Sequence, residues 1–204
     1  MSLQNRVNPE GELCRSSARG TLMGNRGCLH NEAREIISRS KRDAWVTCLL
    51  KFQNRRRKVM DAGNYTELFF LDEATALAAG HRPCATCRRD RYDAFLAAWS
   101  AGNRNGAKVL ASEVDKQMKL DRSPGARAEI STVHGFPDGV FVKQTSTGTF
   151  YLVRGSSLYP WSFEGYGRGQ PIAAITGPFL VLTPACTIKA IKSGYKAQIH
   201  QSAG

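Results

Sequence analysis

Residues 69–90 read "FFLDEATALAAGHRPCATCRRD", and this stretch decides the fold. Phe69, Phe70 and Leu71 close the run "YTELFFL" (65–71), which has the aromatic, apolar content of a strand. Asp72 stands where a helix N-cap is expected, and the helix formers of "EATALAA" (73–79) follow. Gly80 sits where such a helix stops. Pro83 fixes φ ahead of Cys84, and Cys87 completes a C-x2-C pair. Beyond the pair, Tyr92, Phe95, Leu96 and Trp99 fall at i, i+3, i+4 and i+7. That is the spacing of an amphipathic helix, with Gly102 and Asn103 as its expected end. Strand, short helix, cysteine turn and helix in this order predict an α+β chain.

Working outward, "AWVTCLLKF" (44–52) reads as a strand. "QNRRRKVMDAGN" (53–64) reads as the basic tip of a hairpin that returns through residues 65–71. Further upstream, "GTLMGNRGCLHN" (20–31) carries turn residues between apolar pieces, and residues 31–42 suit a short helix or a basic loop. Downstream, residues 107–120 suit another helix, and "DRSPGARAE" (121–129) suits a linker. The C-terminal third is β-rich. "GVFVKQTSTGTFYLVRG" (139–155) alternates around a turn, residues 157–172 form an aromatic, glycine-rich loop, and "GPFLVLTP" (177–184) is a strand. "TIKAIKSG" (187–194) is a short helix, and "YKAQIH" (195–200) a last strand. The expected organisation is a region built around the cysteine turn over 1–105, a helical connection over 106–130 and a small β-rich unit over 131–204.

The 204 residues are 42% apolar and 23% charged, which fits a folded globular chain and argues against disorder. No apolar run approaches the roughly 18 residues of a membrane span. The opening "MSLQNRVNPEGEL" has no apolar core of a secretory signal, so a cytoplasmic location is expected. Lys and Arg outnumber Asp and Glu by 29 to 17, a formal charge of +12. That balance favours a polyanionic partner, DNA or RNA first and acidic membrane surfaces second, and with no apolar span no membrane partner is expected.

Cys84 and Cys87 admit three readings: a redox pair, half of a metal site, or buried thiols. A thioredoxin-like redox pair follows a strand in a βαβ unit, whereas this one follows a helix. Zinc suits better, because a C-x2-C turn supplies two tetrahedral sulfur ligands and the following helix start offers free amides to the thiolates. The remaining ligands must come from elsewhere. Cys14, Cys28, His30, Cys48 and His81 are the candidates, with Cys14 and Cys186 reading as bystanders.

The quoted stretch is similar to the zinc-binding module at the N-terminus of the Ada DNA-repair regulators. The likeness covers Phe69 to Asp90, with His81 in place of the module's usual aromatic residue. More widely, "ARGTLMGNRG" (18–27), "YTELFFLDEATALAAGHRPC" (65–84) and "LYPWSFEGYG" (158–167) resemble a family of bacterial proteins carrying that module. The resemblance implies Zn2+ as cofactor and places Cys84 and Cys87 on the module's second ligand pair. The module's first pair is C-x3-C, a spacing this chain lacks. His30 and Cys48 are the expected closing ligands, with Cys28 as the substitute for either.

The function these residues lead us to expect is a structural zinc site in a nucleic-acid-binding protein. Phosphate contacts are expected from Arg55, Arg56, Arg57, Lys58, Arg88 and Arg89. Two alternatives stand beside it. The resemblance to Ada permits a zinc thiolate that accepts a methyl group from alkylated DNA. "LHNE" (29–32) next to a zinc turn suggests a His-Asn metal-dependent nuclease.

Overall fold

The computed structural model describes residues 2–53 and 58–204. It is a mixed α+β fold with four α-helices and two six-stranded sheets among the described residues. The first sheet holds β1 (Gln4–Val7), β2 (Leu13–Arg15), β3 (Leu22–Asn25), β4 (Val46–Leu49), β5 (Leu68–Phe70) and β6 (Arg82–Pro83), in the order β2-β1-β5-β3-β4-β6. The helix α1 (Glu73–Ala78) lies between β5 and β6 in the chain, and α2 (Arg89–Arg104) and α3 (Ala111–Asp121) follow. The second sheet holds β7 (Glu129–Ile130), β8 (Phe141–Gln144), β9 (Phe150–Arg154), β10 (Ser157–Pro160), β11 (Gln170–Pro171) and β12 (Phe179–Val181), in the order β11-β10-β9-β8-β12-β7. The last α-helix is α4 (Ala185–Lys192).

Local chemistry sets the element that carries the cysteine turn. Asp72 caps α1 by accepting from the Thr75 amide at 2.8 Å, and every residue of α1 is buried. The Ala-rich helix therefore has no solvent face, and its one acidic residue, Glu73, lies wholly inside the fold. The expected hairpin between residues 44–52 and 65–71 does not form. β3 lies between β4 and β5, antiparallel to both. Gly24 permits this, because a Cβ there would stand 2.3 Å from Cε2 of the Phe70 ring. A bare backbone lets β3 lie under that buried aromatic.

Other expectations also shift. Gly102 lies inside α2 rather than at its end, which falls at Asn105 in the left-handed region. A Cβ at Gly102 would stand 2.5 Å from the Lys189 carbonyl oxygen, so the glycine lets the backbones of α2 and α4 approach closely there. Of the two readings for residues 31–42 the loop holds, with one bridge, His30 to Ile36. The loop expected over 157–172 contains β10, which pairs with β9. Residues 195–200 form no strand. Their amides go instead to the acids of α1, Gln198 to Glu73 and His200 to Asp72, both at 2.9 Å.

One buried cluster includes Leu77 of α1, Phe95 and Trp99 of α2, Val114 and Met118 of α3, Val142 and Val153 of the second sheet, and Ile191 of α4. Each large side chain so enclosed contributes roughly 1.5–3 kcal/mol of hydrophobic stabilisation. α2 is thereby fixed from both sides, and the cysteine turn at its N-terminus is held to a rigid base.

Candidate metal centre

The cysteines meet because of strand register. β4 runs parallel to β6, pairing Val46 with Arg82 and Thr47 with Pro83. The Cys84 amide extends that ladder by donating to the Thr47 carbonyl at 2.9 Å. This sets Cys84 beside Cys48, the next residue of β4. The chain then turns tightly, with the Arg88 amide donating to the Cys84 carbonyl at 3.1 Å, and α2 begins at Arg89. The turn brings Cys87 back to the same point. The three Sγ atoms lie within 4.8 Å of one another, with Cys48 buried and Cys84 and Cys87 half-buried.

This donor set fits zinc. Four sulfurs about 2.3 Å from a tetrahedral ion have edges of about 3.8 Å, so the observed spacing needs an inward shift of no more than about 1 Å. The surroundings favour a thiolate at Cys84. The Thr86 amide points at the Cys84 sulfur at 3.4 Å. The Cys84 thiol is held well below its ordinary range, first by the hydrogen bond it receives from Cys48 and then by the amides of Cys87 and Thr86. Cys48 is correspondingly pushed up by keeping that shared proton and by burial. Burial also raises Cys87, against the amide of Leu49.

A second ring of polar contacts holds these ligands. Arg88 follows Cys87 and is enclosed, its side chain 2% exposed. It donates to Thr47 Oγ1 of β4 at 2.9 Å, to Glu73 Oε1 of α1 at 2.8 Å and to Gln198 Oε1 at 2.7 Å. Glu73 also accepts from Arg91, from the Tyr195 hydroxyl at 2.8 Å and from the Gln198 amide. On the other side of the turn, Arg82 forms a bidentate pair with Asp115 of α3, both contacts at 2.7 Å. A cleft of about 400 Å³ opens beside Cys87, lined by Leu49, Thr86, Arg89, Asp90, Arg91 and Gln198 among others.

Compared with known proteins, the chain matches no family model, no curated protein and no solved structure.

The expected site residues divide accordingly. Cys48, Cys84 and Cys87 come together, and among the described residues no other Cys, His, Asp or Glu joins them. His30 lies outside the group. Its Nδ1 is 2.6 Å from Thr66 Oγ1 and its Nε2 3.3 Å from the Asp61 carbonyl, so both ring nitrogens are engaged in holding a loop. Cys28 is half-buried outside the group, its thiol 3.6 Å from the His30 carbonyl. Asn31 turns to Glu35, so the His-Asn pair does not converge on a common point. His81 is buried against Phe70, with ring centroids 4.7 Å apart, and fills an aromatic's place. Of the basic residues, Arg88 is spent inside the fold and does not face solvent, because Glu73, Thr47 and Gln198 claim its guanidinium. Arg89 and Lys58 are exposed. Arg55, Arg56 and Arg57 lie outside the described residues.

Sequence reasoning missed Glu73 and Thr47 as the supports of the turn. A signal existed for Glu73: an acid on an otherwise Ala-rich, apolar helix requires a buried partner.

Proposed function

We propose that this is a zinc-binding protein in which Cys48, Cys84 and Cys87 supply three of the four tetrahedral ligands, with water from the cleft beside Cys87 as the fourth, and that the ion's role is structural. The convergence of three thiols from β4 and from the turn that opens α2 carries this reading. Thiolates are ligands of choice for zinc and poor ones for magnesium or calcium. When bound, the ion supplies a cross-link between the first sheet and α2, with its binding free energy added to folding. The test is unfolding of the full chain with and without a zinc chelator. A lower midpoint in chelator, restored by zinc, is expected, and no change in midpoint would contradict the reading.

We further infer that the basic surface contacts nucleic acid. The formal charge of +12 supports this, as do the exposed Arg89 beside the cysteine turn and the exposed Lys58 adjoining Arg55–Arg57 in sequence. Such contacts give affinity through counterion release without reading sequence. Retention on DNA and RNA at low salt is the measurement. Each phosphate contact removed, as in Arg89→Ala, should flatten the salt slope by about one, and no retention of the unmodified chain would sink the inference.

A further inference from the structure

A second site lies at the other end of the β4 segment, around Trp45. Arg26 is 1% exposed and stacks its guanidinium 3.8 Å over the Trp45 ring. Arg122, from the C-cap of α3, lies 3.9 Å over the same ring. Arg127 is close by, and the three line a small cavity of about 90 Å³ together with Glu10, Gly11, Glu12 and Arg39. One water needs about 10–15 Å³ of such volume, so the cavity has room for a group of several heavy atoms such as a phosphate or carboxylate.

Donors at this cavity outnumber acceptors. Arg26 gives Nε to His81 Nε2 at 3.1 Å and Nη1 to the Gly11 carbonyl at 2.9 Å. Its Nη2 is buried without a hydrogen-bond partner, and so is Nε of Arg127. Arg122 reaches the Asp43 carbonyl at 3.0 Å and the Gly80 carbonyl at 3.5 Å, both neutral. The two acids on the wall are already occupied. Glu10 pairs with Arg127 at 3.4 Å and with Lys143 at 2.9 Å, and Glu12 pairs with the exposed Arg39. Among the described residues, neither Arg26 nor Arg122 has a carboxylate within ion-pair distance. Asp43 and Asp115 act on Arg122 only from a distance, being paired with Lys119 and Arg82.

A buried cation without a counter-ion is costly, and a buried N–H without an acceptor adds to that cost. Burial first, then the charges of Arg122 and Arg39, disfavour the protonated Arg26, and Glu12 offsets them only in part. An oxyanion would supply acceptors to the free N–H groups and negative charge to both guanidinium groups, in a site where planar donors bind such oxygens well.

We propose that the cavity lined by Arg26, Arg122 and Arg127 at the edge of the Trp45 ring binds a small oxyanion, the phosphate or phosphate-sized group of a small molecule. The site is independent of the cysteine cluster and stands whether or not zinc is bound.

The test uses the full chain and two probes, inorganic phosphate and phenyl phosphate, titrated calorimetrically at constant ionic strength with chloride as the control. Saturable binding at one site per chain is expected, with a rise in unfolding temperature that chloride does not reproduce. Losing one charge-assisted contact weakens binding by about ten- to a hundredfold, so Arg122→Gln and Arg127→Gln should each show that loss. Arg168→Gln, at an exposed arginine elsewhere, should bind as the unmodified chain does. Tighter binding of inorganic phosphate marks the ligand as the free anion, and equal or tighter binding of phenyl phosphate marks it as the end of a larger molecule. Either outcome supports the site. No saturable binding beyond the chloride response would overturn the proposal, as would equal binding in both the Arg122 and Arg127 variants.

Discussion

Replacing Glu73 by Gln tests how the cysteine turn is held. The carboxylate is fully enclosed and accepts from Arg88, Arg91, the Tyr195 hydroxyl and the Gln198 amide. Gln keeps the volume, removes the charge and turns an NH2 toward a cluster of donors. Arg88 is also enclosed, at 2% exposure, so its charge would be left buried with only neutral acceptors. Removing one partner of a buried pair costs about 3–5 kcal/mol. Arg91 is 28% exposed and water can serve it, so its share of the loss is small. For a chain of this size the cost corresponds to a fall in unfolding temperature of about 6–20 °C. Urea unfolding followed by circular dichroism measures it. The partner change Arg88→Met should rescue part of the loss, giving a coupling energy above about 1.5 kcal/mol in the double-mutant cycle. A Glu73→Gln variant within about 1 kcal/mol of the unmodified chain, or additive single and double changes, would refute the reasoning.

Three further outcomes are expected. His81 is buried beside Arg26 and Arg122, and burial first, then these charges, holds its imidazole well below its ordinary range. The unfolded chain therefore binds a proton near pH 6.5 that the folded chain refuses, so stability falls as pH drops below about 6.5, by up to about 1.4 kcal/mol per unit. His81→Gln should remove that part of the slope, and an unchanged slope between pH 7 and 5 would count against it. Gly24→Ala drives a Cβ into the Phe70 ring and should cost about 1–3 kcal/mol in denaturant unfolding; a neutral substitution would mean that β3 can shift freely. Zinc affinity should rise with pH through neutrality, because Cys48 and Cys87, whose thiols are pushed up, must each lose a proton on binding, whereas Cys84, held well below its ordinary range, need not. A competition titration at pH 6.5 and 7.5 reads this, and a pH-independent affinity would contradict it.

The parts legible in the sequence are local ones. Asp72 as a cap, the C-x2-C turn and the apolar face of α2 each depend on neighbours within one or two turns of chain. What was not legible depends on distant strands. Nothing in "GTLMGNRG" announces that β3 lies between β4 and β5, since only the approach of Phe70 explains Gly24. The choice among Cys28, His30 and Cys48 rests on the parallel register of β4 with β6, a pairing of residues more than thirty positions apart. His30, at a turn, has the chemistry of a ligand but is spent on Thr66 and Asp61. Arg88 has the sequence of a surface base beside a knuckle. Its burial is decided by Glu73, fifteen residues earlier, and Gln198, far downstream.

The central claim is that three cysteines hold one metal ion. Elemental analysis of the purified full chain, set beside the single changes Cys28→Ser, His30→Ala, Cys48→Ser, Cys84→Ser and Cys87→Ser, tests it most directly. The account predicts one zinc per unmodified chain, retained in the Cys28 and His30 variants and lost or sharply reduced in the other three. A metal-free, stably folded unmodified chain would contradict it.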